Sequence, residues 1–214
     1  MSKKIDELIV KAGVAINNSL QNAELQPMLA EYGYTPEKLA EGKTLLEKTV
    51  TLTVAHKKEY GDQYQATGEL GEKSEKAYRP YMRFVKIARI AFAGEPGAWT
   101  ALGLAGERKE SYSGLQAQFN QFYANLLSNE EWLAKMAVYG VTTEKLTAGQ
   151  ALVNEVEEAM NRQKTEMGEA QEATRLRDEA ADALQEWYSD FIAIARIALE
   201  DKPQYLEMLG IVKK

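Results

Sequence analysis

Hydrophobic residues recur every three or four positions along nearly the whole chain, which is the spacing of one face of an α-helix. In the first segment Ile5, Leu8 and Ala12 follow this spacing. They predict a helix over about residues 4–20. The strict alternation of apolar and polar residues that is typical of a half-buried strand is rare. The pattern therefore predicts an all-α protein.

Residues with strong preferences for helix ends divide this pattern into separate helices. Gly33 can take the left-handed conformation that ends a helix, with Tyr34 supplying the apolar contact that often follows it. Thr35 is a predicted N-cap, and Pro36 a predicted first helical residue, because the N–H that proline lacks would be unpaired there. A further short helix is predicted to begin at Pro96.

The second half of the chain repeats the first. A shift of 107 residues, half of the 214, aligns the sequence with itself without a gap, and 30 of the 107 aligned pairs are identical. The clearest match, Ile-Ala-Arg-Ile-Ala, stands at 87–91 and again at 194–198. Such agreement predicts a tandem duplication. We expect an elongated helical bundle in which the repeats, 1–107 and 108–214, pack together about a pseudo-twofold axis, as the subunits of a homodimer do.

Two long helices are predicted in the first repeat, over about residues 36–66 and 69–93. A turn near Thr67 is expected between them because Gly68 is a poor helix former. In addition, an uninterrupted helix of about 60 residues would be far longer than most helices. The residues that follow the matching Thr174 are compatible with a helix. The sequence therefore leaves open whether the second repeat has this turn.

Composition excludes several classes of protein and site. The chain has no cysteine and one histidine, which rules out disulfides, thiolate sites and multi-histidine metal centres. It contains no apolar run long enough to span a membrane, and acidic residues follow its start too closely for an export signal. A soluble, cytoplasmic protein is therefore expected. The net charge of −6 argues against nucleic-acid binding, although basic residues recur between Lys76 and Arg89.

Glycines inside predicted helices recur at matching positions of the two repeats: Gly42 with Gly149, and Gly61 with Gly168. Each lowers helix stability by about 1 kcal/mol relative to alanine. Their recurrence predicts that a backbone or a bulky side chain packs closely against each of them. The alternative is that they leave space for a ligand.

An arginine recurs within the repeated apolar run, as Arg89 and Arg196. A guanidinium in such a run must reach solvent along its aliphatic stem, or pair with a carboxylate or a backbone carbonyl. A structural role is the first interpretation, and binding of an anion is the second.

Carboxylates also recur one helical turn apart, as Glu59 and Asp62 in the first repeat and as Glu166 and Glu169 in the second. Four such groups could hold Ca²⁺ or Mg²⁺ through oxygen ligands. Lysines recur beside them, however, and acidic residues on a helix most often form its solvated face. The solvated face is the preferred interpretation.

The sequence shows no catalytic constellation: His56, the sole histidine, has neither a serine elbow nor an orienting partner. We therefore expect a non-enzymatic helical protein, without a cofactor, that binds another protein or a second copy of itself. The alternative is a bundle that binds a small ligand or a divalent metal, or acts as an enzyme, at a charged site between the repeats. That site would be formed by Arg89, Arg196, Glu59 and Glu166.

Overall fold

The computed structural model describes residues 2–211, and within this range the protein is all-α, as predicted. Within residues 2–211, every helix lacks either the length or the apolar character that a membrane span requires. The helices of this range are α1 (Ser2–Gln21), α2 (Leu25–Glu31), α3 (Pro36–Ala91), α4 (Pro96–Ala101), α5 (Tyr112–Leu127), α6 (Glu130–Val138), α7 (Thr143–Ala198) and α8 (Pro203–Met208).

The predicted turn near Thr67 is wrong, because α3 continues through it without a break. The Thr67 hydroxyl donates a hydrogen bond to the Gln63 carbonyl one turn earlier, as threonine does inside a helix. Ala66 and Leu70, on either side of Gly68, are both buried. Burial of this face offsets the low helix propensity of Gly68, and propensity is a weak guide where packing opposes it.

Helix ends form where the sequence predicts them. Gly33 has φ +89°, and the Tyr34 N–H donates to the Leu29 carbonyl at 3.0 Å. This bond closes the helix end typical of a left-handed glycine. The same arrangement recurs at Gly140, where φ is +74° and Val141 takes the place of Tyr34. α3 and α4 each begin at a proline, as predicted.

The long helices correspond in position along the two halves of the chain. α3 and α7 each contain 56 residues, and their first and last residues differ by 107 positions. The bounds of α4 and α8 differ by the same number. The segment around Thr174 is therefore helical, like the segment around Thr67.

The chain forms two compact units, each with residues from both predicted repeats. The first unit contains the described residues up to Tyr60 and from Glu169 onward, and the second contains Gly61–Gly168. The bounds of these units thus differ from those of the predicted repeats, 1–107 and 108–214. Each unit has its own hydrophobic core.

The core of the first unit includes a cluster of aromatic rings. The indole of Trp187 stacks on Phe191 with ring centroids 5.3 Å apart, and the Tyr34 ring meets Trp187 edge-on at 5.8 Å. These rings lie among aliphatic residues of α1 and α2, which include Ile16 and Leu25. The burial of such large rings makes this cluster a major source of stability.

The core of the second unit is also aromatic but differs in composition. Tyr81 of α3 is fully buried, with its ring edge-on to those of Phe119 and Phe122 of α5 at 4.8 and 5.5 Å. Tyr123, next to Phe122, is fully buried too, and its hydroxyl has no hydrogen-bond partner among the described residues. Burial raises the pKa of Tyr123, so the phenol stays neutral.

The prediction of close packing is confirmed for Gly42 and Gly149. A Cβ atom on Gly42 would lie 2.7 Å from Cε2 of Trp187, and one on Gly149 would lie 2.8 Å from Cζ of Tyr123. The prediction is wrong for the other matching pair. At Gly61 and Gly168 a Cβ atom would meet no atom of the described residues within 4 Å.

Candidate functional site

Arg89 lies in the second unit and is half-buried near the end of α3. Its Nε donates a hydrogen bond to the Leu104 carbonyl at 2.8 Å. This bond joins the end of α3 to the segment that follows α4, where Gly103 has φ +61°. The guanidinium thus contacts a backbone carbonyl, one of the structural arrangements expected from the sequence.

We expect Arg89→Met to lower the free energy of unfolding by about 1–2 kcal/mol. The substitution keeps the aliphatic stem but leaves the Leu104 carbonyl without a charged donor. Urea unfolding followed by circular dichroism measures the change. Arg83→Met, at an exposed position of α3, is the control and is expected to change stability by less than about 0.5 kcal/mol. Equal stabilities of the two variants would contradict the structural role.

The other residues of the predicted charged site have different surroundings. Arg196 is exposed on α7 in the first unit, where Glu59 also lies. Glu59 pairs with Lys58 at 3.0 Å, and one of its carboxylate oxygens lies within 4.8 Å of one from Glu169. Glu166 belongs to the second unit, and its carboxylate lies 3.7 Å from Nε of Arg162. Both carboxylates are only partly exposed, 23% for Glu59 and 17% for Glu166, and each pairs with a cation of its own helix.

A groove of about 710 Å³ in the second unit, here called the Arg108 groove, is lined by both predicted repeats. Arg89 and Ser74 of α3 line it on one side, and Arg108 and Leu115 on the other. Ser74 is buried, and its hydroxyl has no partner among the described residues. The groove therefore holds two polar groups whose hydrogen bonds the described residues do not supply, the Ser74 hydroxyl and Nε of Arg108.

Arg108 organises the wall of this groove. Its Nη1 donates to the Tyr81 hydroxyl at 2.6 Å, and its two terminal nitrogens donate to the carbonyls of Gly103, Ala105 and Gly106 at 2.9–3.2 Å. A guanidinium suits this role because its donors lie in one rigid plane. Sequence reasoning missed Arg108, since it lies in the segment that joins the repeats and matches only the first residue of the chain.

A second groove of the second unit, here called the Pro80 groove, has a volume of about 460 Å³. It lies between the part of α3 that contains Pro80 and the first turns of α7. Its floor is apolar, and its charged residues are Arg83 and Lys145. Tyr139, which is 51% exposed, lies at its edge.

Large apolar side chains are exposed at matching positions of the two repeats. Ile90 and Ile197 are 62% and 56% exposed, and Tyr32 and Tyr139 are 46% and 51% exposed. Their recurrence therefore does not reflect burial in a core, unlike that of most repeated apolar residues. Single exposed apolar residues are common on protein surfaces, so the feature that distinguishes these residues is their recurrence.

The first unit contains a buried charge that sequence reasoning also missed. Arg177 is buried on α7, where its Nη1 lies 2.9 Å from Nε2 of His56 and its Nη2 donates to Asp178 at 2.6 Å. The position that matches Arg177 in the first repeat is Leu70, which is also buried. An arginine that replaces a leucine at a matching position was the available signal. His56 is thus an acceptor for a guanidinium in the unit's interior.

Burial and the neighbouring Arg177 guanidinium lower the pKa of His56 below its ordinary value of 6.5. As the pH falls through 6.5, the unfolded chain takes up the proton first, so the free energy of unfolding decreases until the folded ring is protonated as well. We expect His56→Gln, which introduces the residue of the matching position, to remove this decrease. Urea unfolding between pH 5 and pH 8 measures it. An identical pH dependence in both proteins would contradict the assignment.

No known protein family, no curated protein and no solved structure shows significant similarity to the chain. The class therefore follows from the described structure alone: an all-α protein with two compact helical units, whose second unit contains the Arg108 and Pro80 grooves, and with recurrent exposed apolar residues.

Proposed function

We propose that this is a non-enzymatic interaction protein that binds another protein, or a second copy of itself, through recurrent exposed apolar residues. The observation that supports this function is the exposure of Ile90 and Ile197, together with Tyr32 and Tyr139, at matching positions. Covering such residues removes apolar area from water, which is the main driving force of protein association.

We also propose that the chain arose by duplication of a helical module of 107 residues, whose copies are related by a pseudo-twofold axis. The 30 identical pairs and the matching bounds of α3 and α7 support this origin. Under this proposal, one chain has two copies of the same binding surface. A partner with two binding segments would then gain from the higher effective concentration of the second contact.

The double variant Ile90→Ser, Ile197→Ser tests the interaction function. Both side chains are mostly exposed, so the melting temperature is expected to stay the same. Sedimentation velocity measures self-association, and cross-linking in a lysate of the native host measures capture of a partner. We expect the amount of the bound species to fall at least about tenfold, because two apolar contacts of about 1–1.5 kcal/mol each are lost.

Val54→Ser is the matched control. Val54 is 64% exposed, but the matching residue of the second repeat is Asn161. This variant removes an exposed apolar side chain that does not recur. If the double variant binds as well as Val54→Ser, the recurrent residues do not form the binding surface and the proposed function fails.

The second candidate function is binding of a small ligand in the Arg108 groove. It is favoured by the buried Ser74 hydroxyl, whose hydrogen-bonding capacity the described residues leave unused, and by the position of Arg89 in the same groove. A thermal-shift screen of small carboxylates and phosphates tests it. A compound that stabilises the protein but not Ser74→Ala would support it, whereas equal shifts in both would contradict it.

A further inference from the structure

α3 and α7 place different residues at one matching position. In α7 this residue is Trp187, and in α3 it is Pro80. In the first unit the Trp187 indole fills the space over Gly42, where a Cβ atom would lie 2.7 Å from the ring. Gly42 therefore leaves room for an aromatic ring to pack against the helix, and in the first unit this ring is the Trp187 indole.

The matching position in the second unit, Pro80, carries no aromatic ring, and a groove lies beside it. Gly149, which matches Gly42, likewise leaves room for a ring, and Tyr123 of α5 reaches it from the core. Tyr123 matches the smaller Ile16 of the first unit. Tyr123 thus packs on Gly149 as closely as Trp187 packs on Gly42, whereas the space beside Pro80 stays open. The Pro80 groove is this open space, lined by Phe84, Ile87, Val141 and Leu152 in addition to Pro80 and Gly149.

The two units differ in charge at this place as well as in the aromatic residue. Arg83 lines the Pro80 groove, whereas its match in the first unit is Asp190. Lys145 lines it too and donates a hydrogen bond to the Gly140 carbonyl at 2.7 Å. The charged residues among those described along this groove are therefore both cationic. Such an edge attracts a ligand with negative charge.

We propose that the Pro80 groove binds an aromatic side chain of a partner protein, in a segment where acidic residues flank the aromatic residue. This inference rests on the proposed interaction function and specifies the partner's chemistry. The apolar lining of the groove, at the position where the first unit has the Trp187 indole, accounts for the aromatic residue, and the cationic edge accounts for the acidic flanks. Buried aromatic anchors of this kind supply much of the binding energy of protein interfaces.

The experiment uses the full chain with labelled methyl groups and an acetylated, amidated peptide, Glu-Glu-Trp-Glu-Glu. We expect the peptide to shift the NMR signals of Ile87, Val141 and Leu152, whose side chains line the groove. Peptides in which alanine replaces tryptophan, or lysines replace the glutamates, are expected to bind at least tenfold more weakly. Equal binding of all three peptides, or shifts confined to other residues, would overturn the proposal.

Ala148→Trp is expected to abolish the shifts, because Ala148 is an exposed residue of α7 that lines the groove and a larger side chain would occupy it. The matched control is Glu41→Trp at the corresponding position of α3, which is expected to leave binding unchanged. Arg83→Asp, which restores the charge of the first unit, is expected to weaken binding of the acidic peptide at least tenfold. Binding that survives Ala148→Trp would overturn the proposal.

A second construction reproduces the first unit's arrangement without depending on Ala148. The double variant Pro80→Trp, Tyr123→Ile places an indole over Gly149 and the smaller residue in the core. It is expected to remain folded, since it also removes a proline from inside α3, and to lose peptide binding. Retained binding in this folded variant would overturn the proposal.

The outcomes separate this inference from the function on which it rests. If the peptide does not bind but the Ile90→Ser, Ile197→Ser variant loses its partner, the inference fails and the proposed function stands. If Ala148→Trp abolishes self-association and no peptide binds, the occupant is a second copy and the inference is overturned. If the peptide binds as expected but the Ile90→Ser, Ile197→Ser variant behaves like Val54→Ser, the recurrent isoleucines are not the binding surface, and the inference about the Pro80 groove stands.

Discussion

Gly42→Ala is expected to lower the free energy of unfolding of the first unit by about 3 kcal/mol. The added Cβ atom would overlap the Trp187 ring, which is buried, stacks on Phe191 and meets the Tyr34 ring edge-on. Overpacking of a close-packed core raises the energy of the folded state in this way. Urea unfolding at constant temperature measures the effect as a lower midpoint with an unchanged slope.

Gly61→Ala, in the same helix, is the matched control and is expected to have the opposite sign. A Cβ atom there meets no described atom within 4 Å, so alanine stabilises α3 by about 0.5–1 kcal/mol through its higher helix propensity. In a Trp187→Ala background, the penalty of Gly42→Ala is expected to disappear. The explanation is wrong if both alanine variants have the same effect, or if the penalty does not depend on Trp187.

Local rules account for what the sequence predicted correctly. The helix end at Gly33 and the helix start at Pro36 depend on the conformations of a few neighbouring residues, and the structure has both. The turn near Thr67 was predicted from the same kind of rule, and it is absent from α3. Its failure has a physical cause: burial of Ala66 and Leu70 opposes the local preference of Gly68, and burial is the larger effect.

The candidate sites depend on tertiary contacts that no local rule supplies. Arg89 and Arg196 stand in identical pentapeptides, yet Arg89 contacts the Leu104 carbonyl and Arg196 is exposed. The glycine pairs make the same point. Gly42 and Gly61 both recur in the sequence, but only Gly42 faces a bulky side chain. Recurrence in the sequence therefore does not determine the role of a position; the contacts of each residue do.

Differences between matching positions proved as informative as identities. The second repeat has Arg177 where the first has Leu70, and this arginine forms the buried pair with His56. The first repeat has Pro80 where the second has Trp187, and the open groove of the second unit lies beside this proline. Both differences are visible in the aligned sequence. Their meaning follows only from the burial of Arg177 and the volume beside Pro80.

Arg108→Met is expected to lower the free energy of unfolding of the second unit by about 3 kcal/mol. The variant removes the donors that hold the carbonyls of Gly103, Ala105 and Gly106. It also leaves the hydroxyl of the fully buried Tyr81 without this partner. A buried polar group that loses its partner costs about 1–3 kcal/mol, and the lost bonds to a charged donor add to this. Urea unfolding measures the change.

Two comparisons separate this role from a general effect of removing charge. Arg79→Met removes an exposed arginine that pairs with Glu75 in the same helix, so it is expected to change stability by less than about 0.5 kcal/mol. In a Tyr81→Phe background, Arg108→Met is expected to be less harmful by at least about 1 kcal/mol, because no hydroxyl is then left unpaired. Additive effects of the two substitutions would show that the bond between Arg108 and Tyr81 does not stabilise this segment.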